Sequence, residues 1–272
     1  MCRAMRLSPA FCEFFEEVLF MKYTLDTIPV LDTYKTDCEC PLCRLKIHCE
    51  DQYVDSMLSS AYMEPEYRIH TNEVGFCTRH FEWMFARRNR LGLALMTHTH
   101  MQEVVKSLED ILKDGGAGAK RGLFGMHGKG DESGAPARIR ARMQGCMICE
   151  QVDKALERYA YTIAQLYFTK TEFKEMFAKS KGFCLPHLSL VMELSDKTLS
   201  ASQAAEFKKA LAQMQLENMK RVQDELEWFT LKFDYRNDDK PWGNSKDAPE
   251  RAINKLMGVC VGEEAQMPAH ND

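Results

Sequence analysis

Residues 144–166 read QGCMICEQVDKALERYAYTIAQL. Cys146 and Cys149 stand at the head of this stretch as a C-x-x-C pair. Behind them Ile148, Val152, Ala155, Leu156, Tyr159, Ile163 and Leu166 recur at helical spacing, the mark of a single apolar helix face. A tight thiol turn therefore opens directly into an amphipathic helix. Further on stands Gly182-Phe183-Cys184-Leu185-Pro186-His187, with Cys184 35 positions after Cys149. The same arrangement occurs earlier in the chain. Cys40-Pro41-Leu42-Cys43 is followed by Gly75-Phe76-Cys77-Thr78-Arg79-His80, with Cys77 34 positions after Cys43. One motif is thus written twice, an internal repeat.

The chemistry follows from the residue types. C-x-x-C lets two thiolates converge on one ion. C-x-x-H on the first turn of a helix puts its side chains at i and i+3, on one face. A cysteine at a helix N-terminus has its thiolate favoured by the helix dipole. Three sulfurs and one imidazole form a closed tetrahedral set suited to structural zinc. The expected ligands are Cys40, Cys43, Cys77, His80, Cys146, Cys149, Cys184 and His187. An iron–sulfur cluster is the rival, since thiolates also hold such clusters. The first copy has an extra thiol, Cys38, where the second has Gln144. Two pairings fit the spacing equally. Each repeat can keep its own four ligands, or the C-x-x-C of one can meet the C-x-x-H of the other.

The rest of the chain reads as helix. Tyr53, Val54, Met57, Leu58 and Ala61 follow the first C-x-x-C at helical spacing. Phe81, Met84 and Phe85 lead a helix expected to run on into MTHTHMQEVVKSLEDIL, ending before Gly115. Phe207, Leu211, Met214, Val222, Leu226 and Phe229 mark a long helix capped by Ser200 or Ser202. Asp247-Ala248-Pro249-Glu250 predicts an N-cap and a last helix to about Leu256. No strand alternation is present, so the fold class is all-α, a helical bundle of two pseudo-repeats. The expected divisions are 1–20, 21–113, 114–142, 143–236 and 237–272. Residues 114–142 are a Gly-rich linker, with eight glycines from Gly115 to Gly134. It lacks the ending of a phosphate loop. Arg138, Arg140 and Arg142 are read as a solvated stretch, His98 and His100 as a solvated helix face, and the aromatic segment KFDYRN…PWG as packing back on the bundle.

Composition narrows the function. The 272 residues carry a net charge of -4, with no basic footprint for nucleic acid. No apolar run is long enough for a membrane span. Eleven cysteines, an odd number, cannot all pair. The expectation is a cytoplasmic, thiol-rich protein whose partner is a metal ion, with room for a protein partner. Glu16-Glu17-Val18 is also what a translated ribosome-binding site yields, so Met21 is the expected start and residues 1–20 stand outside the protein.

The combination of LDTIPVLDTYKTDCECPLC, two G-F-C-x-x-H motifs and KFDYRN…PWG resembles an uncharacterised bacterial family of the Firmicutes type, a domain of unknown function. The resemblance runs from about Met21 to Leu256. It implies no reaction, and an anaerobic source would favour iron–sulfur chemistry. No Ser/His/Asp set, paired-carboxylate motif or nucleotide fingerprint is present. The expected role is structural or regulatory. The alternative is an iron–sulfur or thiol-dependent redox enzyme working through Cys38, Cys40 and Cys43.

Overall fold

A computed structural model of the chain describes residues 26–116 and 134–266. The readings made on residues 1–20, on Met21 and on most of the Gly-rich run lie outside the described residues. Among those described, the fold is all-α and has no strand, with short 3₁₀ turns between the second and third helices, before the last helix and after it. In chain order they are α1 (26–34), α2 (Pro41–Ser59), α3 (Pro65–Val74), α4 (Thr78–Ala86) and α5 (Arg90–Gly116). Then come α6 (Ala135–Arg142), α7 (Met147–Thr169), α8 (Thr171–Lys179), α9 (Leu185–Thr198), α10 (Ala201–Leu231) and α11 (Ala248–Met257). No described helix is long and apolar enough to cross a membrane.

The chain forms two compact units. Of the described residues, a flanking unit takes those up to His48 and again from Lys154 onward, and a central unit those between Cys49 and Asp153. Both boundaries fall inside helices, one in α2 and one in α7.

In the flanking unit α10 packs against α8, α9 and α11, and α11 also packs against α9. Its core is aromatic. Phe173, Phe177, Phe183 and Phe207 are fully buried. Tyr167 meets Phe177 and Phe207 edge-on at 5.3 and 5.2 Å, a favoured ring geometry. Ser200 caps α10 in a capping box with Gln203, as its spacing predicts. Asp247 does precede α11, but its carboxylate bonds Arg251 at 2.8 Å instead of a helix N–H. The aromatic tail packs locally: Trp242 contacts Phe229 and Phe233, and the Trp228 indole donates to the Pro241 carbonyl at 3.1 Å. Tyr235 and Phe233 remain largely exposed.

In the central unit α5 packs against α3, α4 and α6. The helix expected to run unbroken from Phe81 is two helices. Asn89 accepts from the Gly92 N–H at 2.8 Å and so starts α5 as its N-cap. Its amide also donates to the Leu58 carbonyl, while Arg87 is held by Asp51 and Asp55. The expected linker contains α6, and Arg142 at its end donates to the Glu73 carbonyl at 2.9 Å.

Candidate metal centres

Each centre is built where two helix N-termini meet. Cys40 immediately precedes α2 and Cys43 lies in its first turn; Cys146 and Cys149 stand in the same way to α7. Cys184 is the N-cap of α9 and Cys77 the N-cap of α4, both with extended backbone. His187 and His80 follow in the first turns. The unsatisfied N–H groups of these turns carry partial positive charge, which favours thiolates. The glycines before Cys77 and Cys184 make the approach. Gly75 (φ 74) and Gly182 (φ 82) adopt left-handed backbone that other residues rarely take. A side chain there would also collide, with the His100 ring at 2.6 Å and with Gln215 Oε1 at 2.6 Å respectively. Gln215 braces the loop by accepting from Phe183 N–H and donating to Phe183 carbonyl, both at 2.8 Å.

The groups that form are exchanged between the motif copies. Cys40 and Cys43 meet Cys184 and His187; Cys77 and His80 meet Cys146 and Cys149. The first site lies wholly in the flanking unit and the second wholly in the central unit. In each, the four potential ligand atoms lie within 4.8 Å of one another, an arrangement that can hold a metal ion.

In the first site Cys184 Sγ is 3.8 Å from Cys40 Sγ and 3.5 Å from Cys43 Sγ. His187 Nδ1 is 3.4 Å from both Cys40 Sγ and Cys43 Sγ, and 3.2 Å from Cys184 Sγ. In the second site Cys77 Sγ and Cys149 Sγ are 3.8 Å apart. His80 Nδ1 is 3.2 Å from Cys77 and Cys146 and 3.5 Å from Cys149. A tetrahedral zinc with ordinary Zn–S and Zn–N bonds requires edges of about 3.8 Å between sulfurs and about 3.6 Å from sulfur to nitrogen. The donor set therefore fits one ion.

Crowding of the thiols sets their acidity. Hydrogen bonds from Cys40 and Cys43 hold Cys184 well below the usual thiol range, against burial, with His187 adding to the effect. Cys77 is lowered in the same way by Cys146, Cys149 and His80. The bond to Cys184 pushes Cys43 up to about 12, and burial pushes Cys40 up first of all. Burial disfavours a charged His80, but its hydrogen bonds to Cys146 and Cys77 lift it to about 9. In the first cluster one sulfur, Cys184, is thus the favoured thiolate; in the second, Cys77 and Cys146 are both lowered while Cys149 is raised by its bonds to Cys146 and Cys77.

The sites differ in their surroundings. All four side chains of the first are buried, Cys184 completely. In the second, His80 and Cys146 are buried while Cys77 and Cys149 are half-buried. Behind His80, the buried Glu50 places Oε1 3.8 Å from Nε2 and bonds Arg79 at 2.8 Å. At that distance Nε2 has no hydrogen-bond partner, so the carboxylate acts on the ring as a nearby negative charge, while Nδ1 faces the sulfurs.

Among the described residues, the other thiols and imidazoles stand outside both groups. Cys38 is buried; burial first, and then Cys40 and Cys38, make the Tyr34 hydroxyl a weaker acid than usual. Cys49 is buried in the core, and Cys260 is exposed. His98 is exposed as expected, but His100 packs on Gly75 and bonds the Asn72 carbonyl at 2.9 Å. Glu50, Gln215 and Lys255 escape motif reading. Lys255 alone leaves a sequence trace, a lysine on the helical stripe that begins with Ala248 and Ala252 in α11.

A match to the family described as "Family of unknown function (DUF6062)" covers residues 21–263, and the chain belongs to that family. The chain is 22% identical over 217 residues to the "Uncharacterized 23.9 kDa protein in xynA 3'region" of Caldicellulosiruptor sp. (strain Rt8B.4), covering 76% of this chain and 88% of that protein. No solved structure matches it.

Proposed function

Taking membership of that family as the premise, we propose that the chain is a zinc-binding helical protein whose two Cys3His centres are structural, serving a structural or regulatory role in the cytoplasm. The ligands are Cys40, Cys43, Cys184 and His187 in one centre and Cys77, His80, Cys146 and Cys149 in the other. The observation that carries this reading is the spacing of the donor atoms, all within 4.8 Å and at tetrahedral edge lengths. Four protein ligands close the coordination sphere and leave no position for substrate. An iron–sulfur cluster places several irons between its thiolates and needs a wider cage. Cys38, the thiol on which a redox reading leaned, stands outside the four-residue group. Reduced thiols gathered this closely suit a reducing compartment. The two centres also give the repeated motif its meaning: each copy supplies half of each site, so the pseudo-repeats are bound into one fold. Because ligands gather only in the folded chain, metal binding contributes directly to folding. Elemental analysis after anaerobic purification is the test. Two zinc per chain and no visible absorbance are expected; iron with charge-transfer bands overturns the assignment.

A further inference from the structure

The two sites are clasped differently. In the second, the Met147 N–H donates to the Gly75 carbonyl at 3.0 Å. Met147 is the first residue of α7, where an N–H has no partner within the helix. That single bond ties the C-x-x-C turn to the G-F-C-x-x-H loop. In the first site the matching position is Pro41. Proline suits the start of a helix but has no N–H, so the bond cannot form.

A side chain from α11 stands in its stead. Lys255 is 1% exposed. Its Nζ donates to the Glu39 carbonyl at 2.6 Å and to the Lys181 carbonyl at 2.5 Å. Glu39 directly precedes Cys40, and Lys181 directly precedes Gly182. One ammonium therefore bridges the two loops that carry the first site's ligands. The Glu39 carboxylate lies 3.3 Å from the same nitrogen and is gripped by Arg221 through two bonds, at 2.8 and 2.7 Å. Burying an ammonium is costly unless its donors are met. Here two carbonyls and a carboxylate meet them.

We propose that Lys255 is a positioning residue of the first metal site, supplying from α11 the cross-loop donor that Pro41 removes from the C-x-x-C turn. This rests on the zinc reading above. If the purified chain carries no zinc at either group, that reading fails before Lys255 is tested.

The experiment uses the full chain in a Cys77→Ser background, so that only the first site holds zinc, and follows zinc transfer to a chromophoric chelator. Lys255→Met keeps the stem and removes the ammonium. It should release zinc about 10- to 100-fold faster, the effect usual for outer-shell partners. Adding Pro41→Ala restores an N–H at the matching position and should recover most of the retention. A plain packing role for Lys255 predicts no such rescue. Release from K255M at the parent rate, or no recovery in the double variant, overturns the proposal. Should K255M fail to fold, Pro41→Ala alone must slow release; an unchanged rate overturns it as well.

Discussion

The flanking-unit and central-unit centres have the same ligand set and nearly the same donor spacings, yet they are finished by different means. The central one is closed by its own two motif loops, which a backbone bond from Met147 to Gly75 joins, and Glu50 of the same unit sets a negative charge 3.8 Å from His80 Nε2. Two of its sulfurs stay half-buried. The flanking one is buried throughout and draws its closure from α11, far along the chain, through Lys255. The duplicated motif supplies coordination; what surrounds it sets access and durability. A small change, proline for methionine after the first cysteine, is enough to transfer one fastening from backbone to side chain.

The sharpest way to break this comparison is to break the pairing on which it stands. Cys40→Ser with Cys184→Ser removes two ligands from one centre and should leave one zinc per chain. Cys40→Ser with Cys77→Ser removes one from each and should leave none held against a chelator. If each motif copy kept its own ligands, the two results would be reversed. Loss of a structural zinc forfeits much of a binding free energy of about 10–16 kcal/mol, so each emptied unit should also lose cooperative thermal unfolding, read by circular dichroism.

This pairing was the part of the site that the sequence left open. The intervals of 34 and 35 residues within the copies are almost equal, so nothing local separates own-repeat from exchanged ligation. The eight residues that gather in the two groups were legible because C-x-x-C and C-x-x-H are short-range chemistry written in neighbouring residues. The helices were legible from periodicity, as in Ile148 to Leu166. The stop between α4 and α5 was not, because Asn89 acts through side-chain bonds to Gly92 and Leu58. Glu50 and Lys255 were hidden for another reason: each gains its role only when distant chain arrives beside it.

Access separates the centres next. A chelator in modest excess should draw zinc from the second site first, since Cys77 and Cys149 are half-buried and the first site's sulfurs are not. Two phases are expected, and C77S should abolish the fast one. A single phase, or a fast phase that C184S removes, would contradict the ordering. Glu50→Gln removes the charge behind His80 and should weaken the second site by about 10- to 100-fold. Competition with a zinc dye in a C184S chain measures this, and the same change should leave first-site affinity in C77S untouched.

The smallest effect compares the two glycines. Alanine at Gly75 or Gly182 takes on a positive φ that side chains rarely adopt, at a cost of about 1–3 kcal/mol in either place. The neighbours then differ. At Gly75 the obstacle is the His100 ring, which has one hydrogen bond to lose, to the Asn72 carbonyl. At Gly182 it is Gln215, whose amide bonds both the N–H and the carbonyl of Phe183. Moving Gln215 gives up two buried bonds of about 1 kcal/mol each and loosens the residue next to Cys184. G182A should therefore destabilise its unit by about 1 kcal/mol more than G75A does, measured by denaturant midpoint with zinc present. Equal losses would mean that Gln215 swings clear without cost, and that the flanking centre depends on α11 alone for its bracing.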